Sequence, residues 1–173
     1  MTDLILRADK FAKNAHAGQV RKYTNVPYVM HPRSVAFLVS LVPDHTTEMI
    51  AAALLHDVVE DTPITLDEIE AEFGKEVRDL VYWLTDQSKP EDGNRKARKA
   101  IDRDHIAKAP AQAQTIKVAD LIDNSSSIVQ YDPDFARVYM REKEALLDVL
   151  VNADPSLLRI ARTIISDYKK RKD

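Results

Sequence analysis

Ala51-Ala52-Ala53-Leu54-Leu55-His56-Asp57-Val58-Val59-Glu60-Asp61-Thr62 begins as an apolar run and closes on four ionisable groups. With Met49-Ile50 before it, the run is apolar enough to be a buried helix. Thr46 or Thr47 can cap that helix, which the spacing predicts to run to about Asp61. On a continuous helix His56 and Glu60 stand at i and i+4 and share a face, and Asp57 and Asp61 pair likewise. A charge beside an apolar interior is costly unless it is paired or bound to a metal. The stretch therefore offers a His and an Asp as adjacent ligands, with two carboxylates one turn on. A plainer reading is a helix C-terminus surfacing through a charged patch with a histidine half in the core. Alone, the stretch fits both.

Working outward, the spacing stays helical. Leu4, Leu6, Ala8, Phe11, Ala12 and Ala15 form the face of a first helix that Gly18 is placed to end. A polar loop, Gln19 to Met30, follows. Pro32 can open the next helix, with Val35, Ala36, Leu38, Val39 and Val42 inward, and Pro43-Asp44 breaks it. Thr65 with Glu68 matches a capping box for a short helix ending near Gly74. Another helix covers roughly Lys75 to Asp86, with Val77, Leu80, Val81 and Leu84 inward and the single Trp83 in core or in a dimer contact. Gln87 to Gly93 reads as a loop. Helices then fill Asn94 to Lys108, Ala113 to Ser125, Pro133 to Val151 and Pro155 to Lys170, and Lys169-Lys170-Arg171-Lys172 reads as a solvated helix end complementing the dipole. No segment alternates over strand length, so the expectation is an all-α protein, one domain over residues 1–173.

Composition narrows the chemistry. Of 173 residues, 45% are hydrophobic and 31% charged, a folded rather than a disordered balance. With no cysteine, disulfides, thiolate zinc sites and a cysteine nucleophile are excluded. Gly18, Gly74 and Gly93 lie too far apart for a P-loop or a dinucleotide fingerprint. Phosphate handling would therefore need a metal, Lys and Arg side chains, or helix ends. A net charge of −3 gives no field favouring nucleic acid, and no basic stripe with interleaved aromatics suggests a nuclease. The start is too acidic and too short in apolar residues for a signal peptide, and no uncharged run has the length of a membrane span. The expectation is a cytoplasmic protein without nucleic-acid or membrane partners, a monomer or a homodimer.

Two further segments bear on the first. Thr115-Ile116-Lys117-Val118-Ala119-Asp120-Leu121-Ile122-Asp123-Asn124 sets Asp120 among aliphatic residues, with Asn124 one turn on along the same face. A buried Asp in such company needs a partner, whether a ligand or a salt bridge to Lys117. In Tyr28-Val29-Met30-His31-Pro32, Pro32 predicts an extended His31 at a helix entrance, in a ligand, capping or packing role.

Together His31, His56-Asp57 and Asp120 resemble the His…His-Asp…Asp pattern of the HD metal-dependent phosphohydrolases. Two imidazoles and two carboxylates suit manganese, iron, cobalt or zinc rather than calcium. Ala15-His16-Ala17-Gly18-Gln19-Val20-Arg21-Lys22, Pro27-Tyr28-Val29-Met30-His31-Pro32, Ala52 to Thr62, Phe73-Gly74-Lys75-Glu76-Val77 and Lys117-Val118-Ala119-Asp120 are, in order, similar to the hydrolase domain of RelA/SpoT homologues. The likeness is best over residues 8–127, with helices over 133–170 completing the fold. Length leaves no room for an alarmone synthetase, so the chain resembles a stand-alone small alarmone hydrolase of the metazoan SpoT-like type.

The resemblance implies an all-α HD fold with a central metal site and manganese-dependent removal of the 3′-pyrophosphate of ppGpp and pppGpp. It implies His31, His56, Asp57 and Asp120 as metal ligands, and Glu60 and Asp61 as the acidic pair that orients or deprotonates the attacking water. Arg21, Lys22 and Asn124 match substrate-binding positions. Arg95 and Lys96 can meet the diphosphate or simply form a solvated basic helix face, and Tyr139 and Arg141 are fainter candidates. His16 reads as structural, and His45 and His105 as surface residues. Asn25-Val26 replaces the Gly-Glu usual before the Pro-Tyr pair, and Leu121 and Asp123 depart from the pattern after Asp120. These departures lie where a base or ribose is read. They leave open another phosphorylated nucleotide, such as NADPH through its 2′-phosphate, or a non-catalytic nucleotide-binding module.

Overall fold

Helix forms nearly everywhere the apolar spacing predicts it, and the chain groups into two units divided between Asp86 and Gln87. The computed structural model describes residues 2–171, the side chain of Thr2 apart, so Lys172 of the basic C-terminal run lies outside the described residues. Among the described residues the only sheet-like pairing is an isolated antiparallel bridge between Val20 and Pro27, which closes the polar loop on itself. The protein is all-α.

The first unit holds α1 (Thr2–Ala15), α2 (Met30–Ser40), α3 (Thr47–Leu55), α4 (Val58–Asp61), α5 (Leu66–Phe73) and α6 (Lys75–Leu84). Its axis is α3, in which Met49 and every residue from Ala51 to Leu55 are buried. A helix apolar all round belongs in an interior, and α1, α2 and α6 pack on it. Alanines make the approach close: Ala8 and Ala12 on α1 and Ala51, Ala52 and Ala53 on α3 have no exposed surface. Thr46 caps α3, its hydroxyl accepting the Met49 N–H at 3.1 Å. Across α1 and α2 a two-pronged Arg33–Asp9 pair, 2.6 and 2.7 Å, pins the start of the helix that carries His31.

Gly74 closes α5 through its N–H to the Glu70 carbonyl at 2.8 Å, then turns at φ +85° directly into α6. A side chain at that φ is strained, which is why glycine stands there.

Two expectations in this unit are corrected. His31 is not extended: α2 begins at Met30 and takes His31 into its first turn, its N–H bonded to the Tyr28 carbonyl at 2.9 Å. Pro32 is tolerated because the first turn leaves N–H groups without helical partners anyway. Nor does the helix from Thr47 run unbroken to Asp61. It stops at Leu55, and Asp57 takes φ −95°, ψ −5° before the single turn of α4. That is the sparsely populated bridge region, and it re-aims the carboxylate.

The second unit holds a 3₁₀ turn (Pro90–Asp92), α7 (Arg95–Ile106), α8 (Ala111–Tyr131), α9 (Pro133–Leu147) and α10 (Pro155–Lys170). Here α8 is the core helix, packed by α9 and α10. It runs past its expected end at Ser125 because the serines turn inward on their own helix. Ser125, Ser126 and Ser127 hydroxyls donate to the Leu121, Asp123 and Asn124 carbonyls rather than competing for the backbone ahead. Asp132 then caps α9, accepting the Phe135 N–H at 3.1 Å. α9 ends at Leu147 rather than Val151, and the turn after it is tied to α8, the Asn152 N–H donating to Gln114 Oε1 at 3.0 Å. Asp102 on α7 anchors the expected loop, accepting the Gln87 and Ser88 N–H groups at 3.0 and 2.9 Å.

Candidate metal centre

His56 caps α3 and is 1% exposed. Its Nδ1 lies 2.8 Å from the Ala53 carbonyl. A carbonyl only accepts, so Nδ1 carries the proton and Nε2 presents its lone pair. That lone pair faces Asp57 Oδ2 at 3.1 Å. From the first turn of α2, His31 brings its own Nε2 to 3.4 Å from the same oxygen. The two imidazoles meet edge to face with centroids 5.1 Å apart. Two ring nitrogens and a carboxylate thus converge within 4.8 Å of one another, in the one ligand cluster of this kind among the described residues.

This donor set fits a divalent transition ion. Nitrogen and carboxylate ligands bind such an ion at about 2.0–2.2 Å, which matches the spacing. A neutral imidazole lone pair facing a carboxylate oxygen is unfavourable unless a cation lies between them. The bond from His56 Nδ1 to a backbone carbonyl is the usual device for fixing the metal-binding tautomer.

Tyr28, half-buried, donates its hydroxyl to Asp57 Oδ2 at 2.7 Å. Its ring rests on His16 (centroids 4.8 Å) and on His31 (5.9 Å). Burial and then the Asp57 carboxylate raise the phenol's pKa, so it remains a donor. His16 is 3% exposed and bonds Gln19 Oε1 through Nδ1 at 2.8 Å, while Gln19 Nε2 donates to the Asp61 carbonyl at 3.0 Å. The reading of His16 as structural agrees with this place.

Glu60 and Asp61 occupy α4, one turn beyond Asp57. Glu60 accepts the Asp86 backbone N–H. Asp61 is exposed as a residue, yet partial burial of its carboxyl and the Asp57 charge raise its pKa. A carboxylate with a raised pKa is a better proton acceptor. Arg21 and Lys22 sit in the loop after α1. A tight turn forms there, with the Arg21 N–H on the Val26 carbonyl at 2.8 Å and Asn25 in the left-handed region at φ +56°. Lys22 Nζ stands 4.9 Å from the Tyr23 ring.

The other sequence-predicted residues belong to the second unit. Asp120 is 6% exposed, with Asn124 Nδ2 donating to Oδ1 at 2.6 Å and Lys117 Nζ 3.1 Å from Oδ2. Asn124 and the rival partner Lys117 thus both engage it. Lys143 of α9 is also buried, its ammonium donating to the Leu121 carbonyl at 2.7 Å and lying 4.3 Å from the Tyr139 ring. Arg95 forms a two-pronged pair with Glu142, both bonds 2.8 Å, and lies over the Phe135 ring; Lys96 is exposed.

Sequence reasoning gave no role to Tyr28, Gln19 or Lys143. For Tyr28 a signal existed, its position three residues before His31 beside Pro27. A buried lysine in an amphipathic helix has none.

Comparison with known proteins shows the family. The HD domain family matches residues 8–145. The frog Xenopus tropicalis protein named guanosine-3′,5′-bis(diphosphate) 3′-pyrophosphohydrolase MESH1 is 37% identical over 133 residues, 76% of this chain and 73% of its own length. The Escherichia coli bifunctional (p)ppGpp synthase/hydrolase SpoT is 37% identical over 135 residues, but the match spans only 19% of that longer protein. The solved structure of a metazoan SpoT orthologue, described as hydrolysing ppGpp, superposes with a TM-score of 0.84 at 28% identity, covering 95% of this chain and 94% of that one. By family match and by relatives of this identity and coverage, the chain belongs to the HD domain family.

Proposed function

We propose that the protein is a manganese-dependent hydrolase of the 3′-pyrophosphate of ppGpp and pppGpp, yielding GDP or GTP and pyrophosphate. The observation that carries this reading is the convergence of His31 Nε2, His56 Nε2 and Asp57 Oδ2, with the His56 tautomer pinned by Ala53. The names of the relatives support the substrate. His31, His56 and Asp57 would hold the ion, with Asp120 as the fourth ligand that the sequence resemblance implies. When bound, such an ion lowers the pKa of water and polarises a phosphoryl oxygen.

The chain's own residues supply the rest. Asp61, with Glu60 beside it, takes the proton from water as the oxygen attacks the phosphorus next to the ribose. The bond from that phosphorus to the ribose 3′ oxygen breaks, and the proton returns to that oxygen. Arg21 and Lys22 bind the nucleotide and Asn124 contacts it; Arg95 and Lys96 add charge for the diphosphate. The lack of cysteine fits the cytoplasmic setting we assign to the reaction.

Purified protein loaded with manganese is expected to convert ppGpp to GDP and pyrophosphate, and Asp120→Ala to abolish this. Orthophosphate and pyrophosphate are assayed separately across ppGpp, pppGpp and NADPH. Intact ppGpp after prolonged incubation with metal-loaded protein refutes the reading, and orthophosphate from NADPH alone redirects it to the 2′-phosphate.

A further inference from the structure

A phenol hydroxyl has one proton to give, and that of Tyr28 gives it to a carboxylate, donating to Asp57 Oδ2 at 2.7 Å. Three contacts hold the phenol there. The Tyr28 N–H is bonded to the Gln19 carbonyl at 3.0 Å, its ring lies on His16, and its other edge meets His31. Gln19 is also a strut under the acidic residue one turn on, because its side chain donates to the Asp61 backbone carbonyl. One short loop thus sets the Tyr28 hydroxyl on the carboxylate that faces the two imidazoles and the Gln19 amide under the backbone of the next.

We propose that Tyr28 is a positioning residue for the hydrolysis: its hydroxyl aims the Asp57 carboxylate at His31 and His56. This rests on the metal-site reading above. A carboxylate swings about its Cβ–Cγ bond unless its lone pairs are held. At Asp57 the backbone is already in the bridge region, so the side chain's direction depends on what grips the oxygen. Groups that hold a ligating carboxylate typically account for about 10–100-fold in metal affinity or activity. Phenylalanine keeps the ring and its stacking on the two histidines and removes only the donor.

The test is Tyr28→Phe in the full chain. Metal-free protein titrated with manganese by calorimetry is expected to show an affinity about 10–100-fold weaker than wild type. At saturating metal, kcat on ppGpp falls about tenfold or more while KM stays within about twofold, because the hydroxyl holds the Asp57 carboxylate and not substrate. Unchanged manganese affinity overturns the proposal, and so does a rise in KM with kcat intact. Melting of the metal-free forms is read alongside. If Tyr28→Phe does not fold, Tyr28→Met, which also removes the donor and keeps apolar bulk in its place, is expected to weaken manganese binding to the same degree, and unchanged affinity overturns the proposal there. Wild type that binds no divalent ion refutes the site itself, whereas equal binding by wild type and variant refutes only the role of Tyr28.

Discussion

At the scale of single residues, the side chains that hold the site are set by what surrounds them more than by their own chemistry. His56 presents Nε2 because Ala53 accepts from Nδ1, and Asp57 faces two rings because Tyr28 grips its oxygen. The same principle makes Lys143 a cost. Burial pushes its ammonium well below the usual lysine value, Asp120 and Asp123 pull it back up, and Lys117 pushes it down again. The folded chain therefore holds this proton less tightly than the unfolded chain, and the cost that Lys143 imposes on stability shrinks with rising pH until lysine's ordinary value is passed. Lys143→Met removes that cost. It is expected to melt higher than wild type at neutral pH, and the gap to close as the pH rises toward the ordinary lysine value. Scanning calorimetry across that range checks both the sign and the closing of the gap.

At the scale of elements, the apolar faces and caps were readable and the breaks were not. The capping box at Thr65 and Glu68 forms as its spacing predicts, the Glu68 N–H bonded to Thr65 Oγ1 at 3.3 Å and the Thr65 N–H to Glu68 Oε2 at 2.8 Å. Thr65→Ala is expected to lower stability by about 1 kcal/mol, read by urea unfolding. The Thr65 backbone and hydroxyl hold the Glu68 carboxyl below its usual range, so its contribution is present above the ordinary glutamate value and is lost as pH falls through the folded value. The difference between wild type and Glu68→Gln should shrink in the same sense. Leu55-His56-Asp57-Val58 reads as one helix because helical spacing cannot register a turn made by a side chain bonding back to a carbonyl. His31-Pro32 misleads for the opposite reason. The restriction before proline is a local preference, and the hydrogen bonds of the Pro27–Val29 turn outweigh it.

At the scale of the whole molecule, a metal that binds only the folded chain links the site to global stability. At a free metal concentration about one hundred times Kd the gain is about 2.7 kcal/mol. A chain of this length moves roughly 2–4 °C in Tm for each kcal/mol. Stripping the protein with a chelator is therefore expected to lower Tm by several degrees, and manganese to restore it; a Tm indifferent to both counts against the site. The sequence alone determined the all-α class, because helical periodicity and caps are local. It also put forward His31, His56, Asp57 and Asp120 as candidates, but only through the resemblance to the HD phosphohydrolases, since the stretch from Ala51 to Thr62 fits a charged helix end equally well. Only the tertiary structure decided that His31, His56 and Asp57 share one point, and that Tyr28 holds the Asp57 carboxylate and Gln19 the Asp61 backbone beside it. The physical reason is that convergence depends on α2 and α3 packing side by side and on the break at Asp57, and contacts between distant segments leave no periodic trace in the chain.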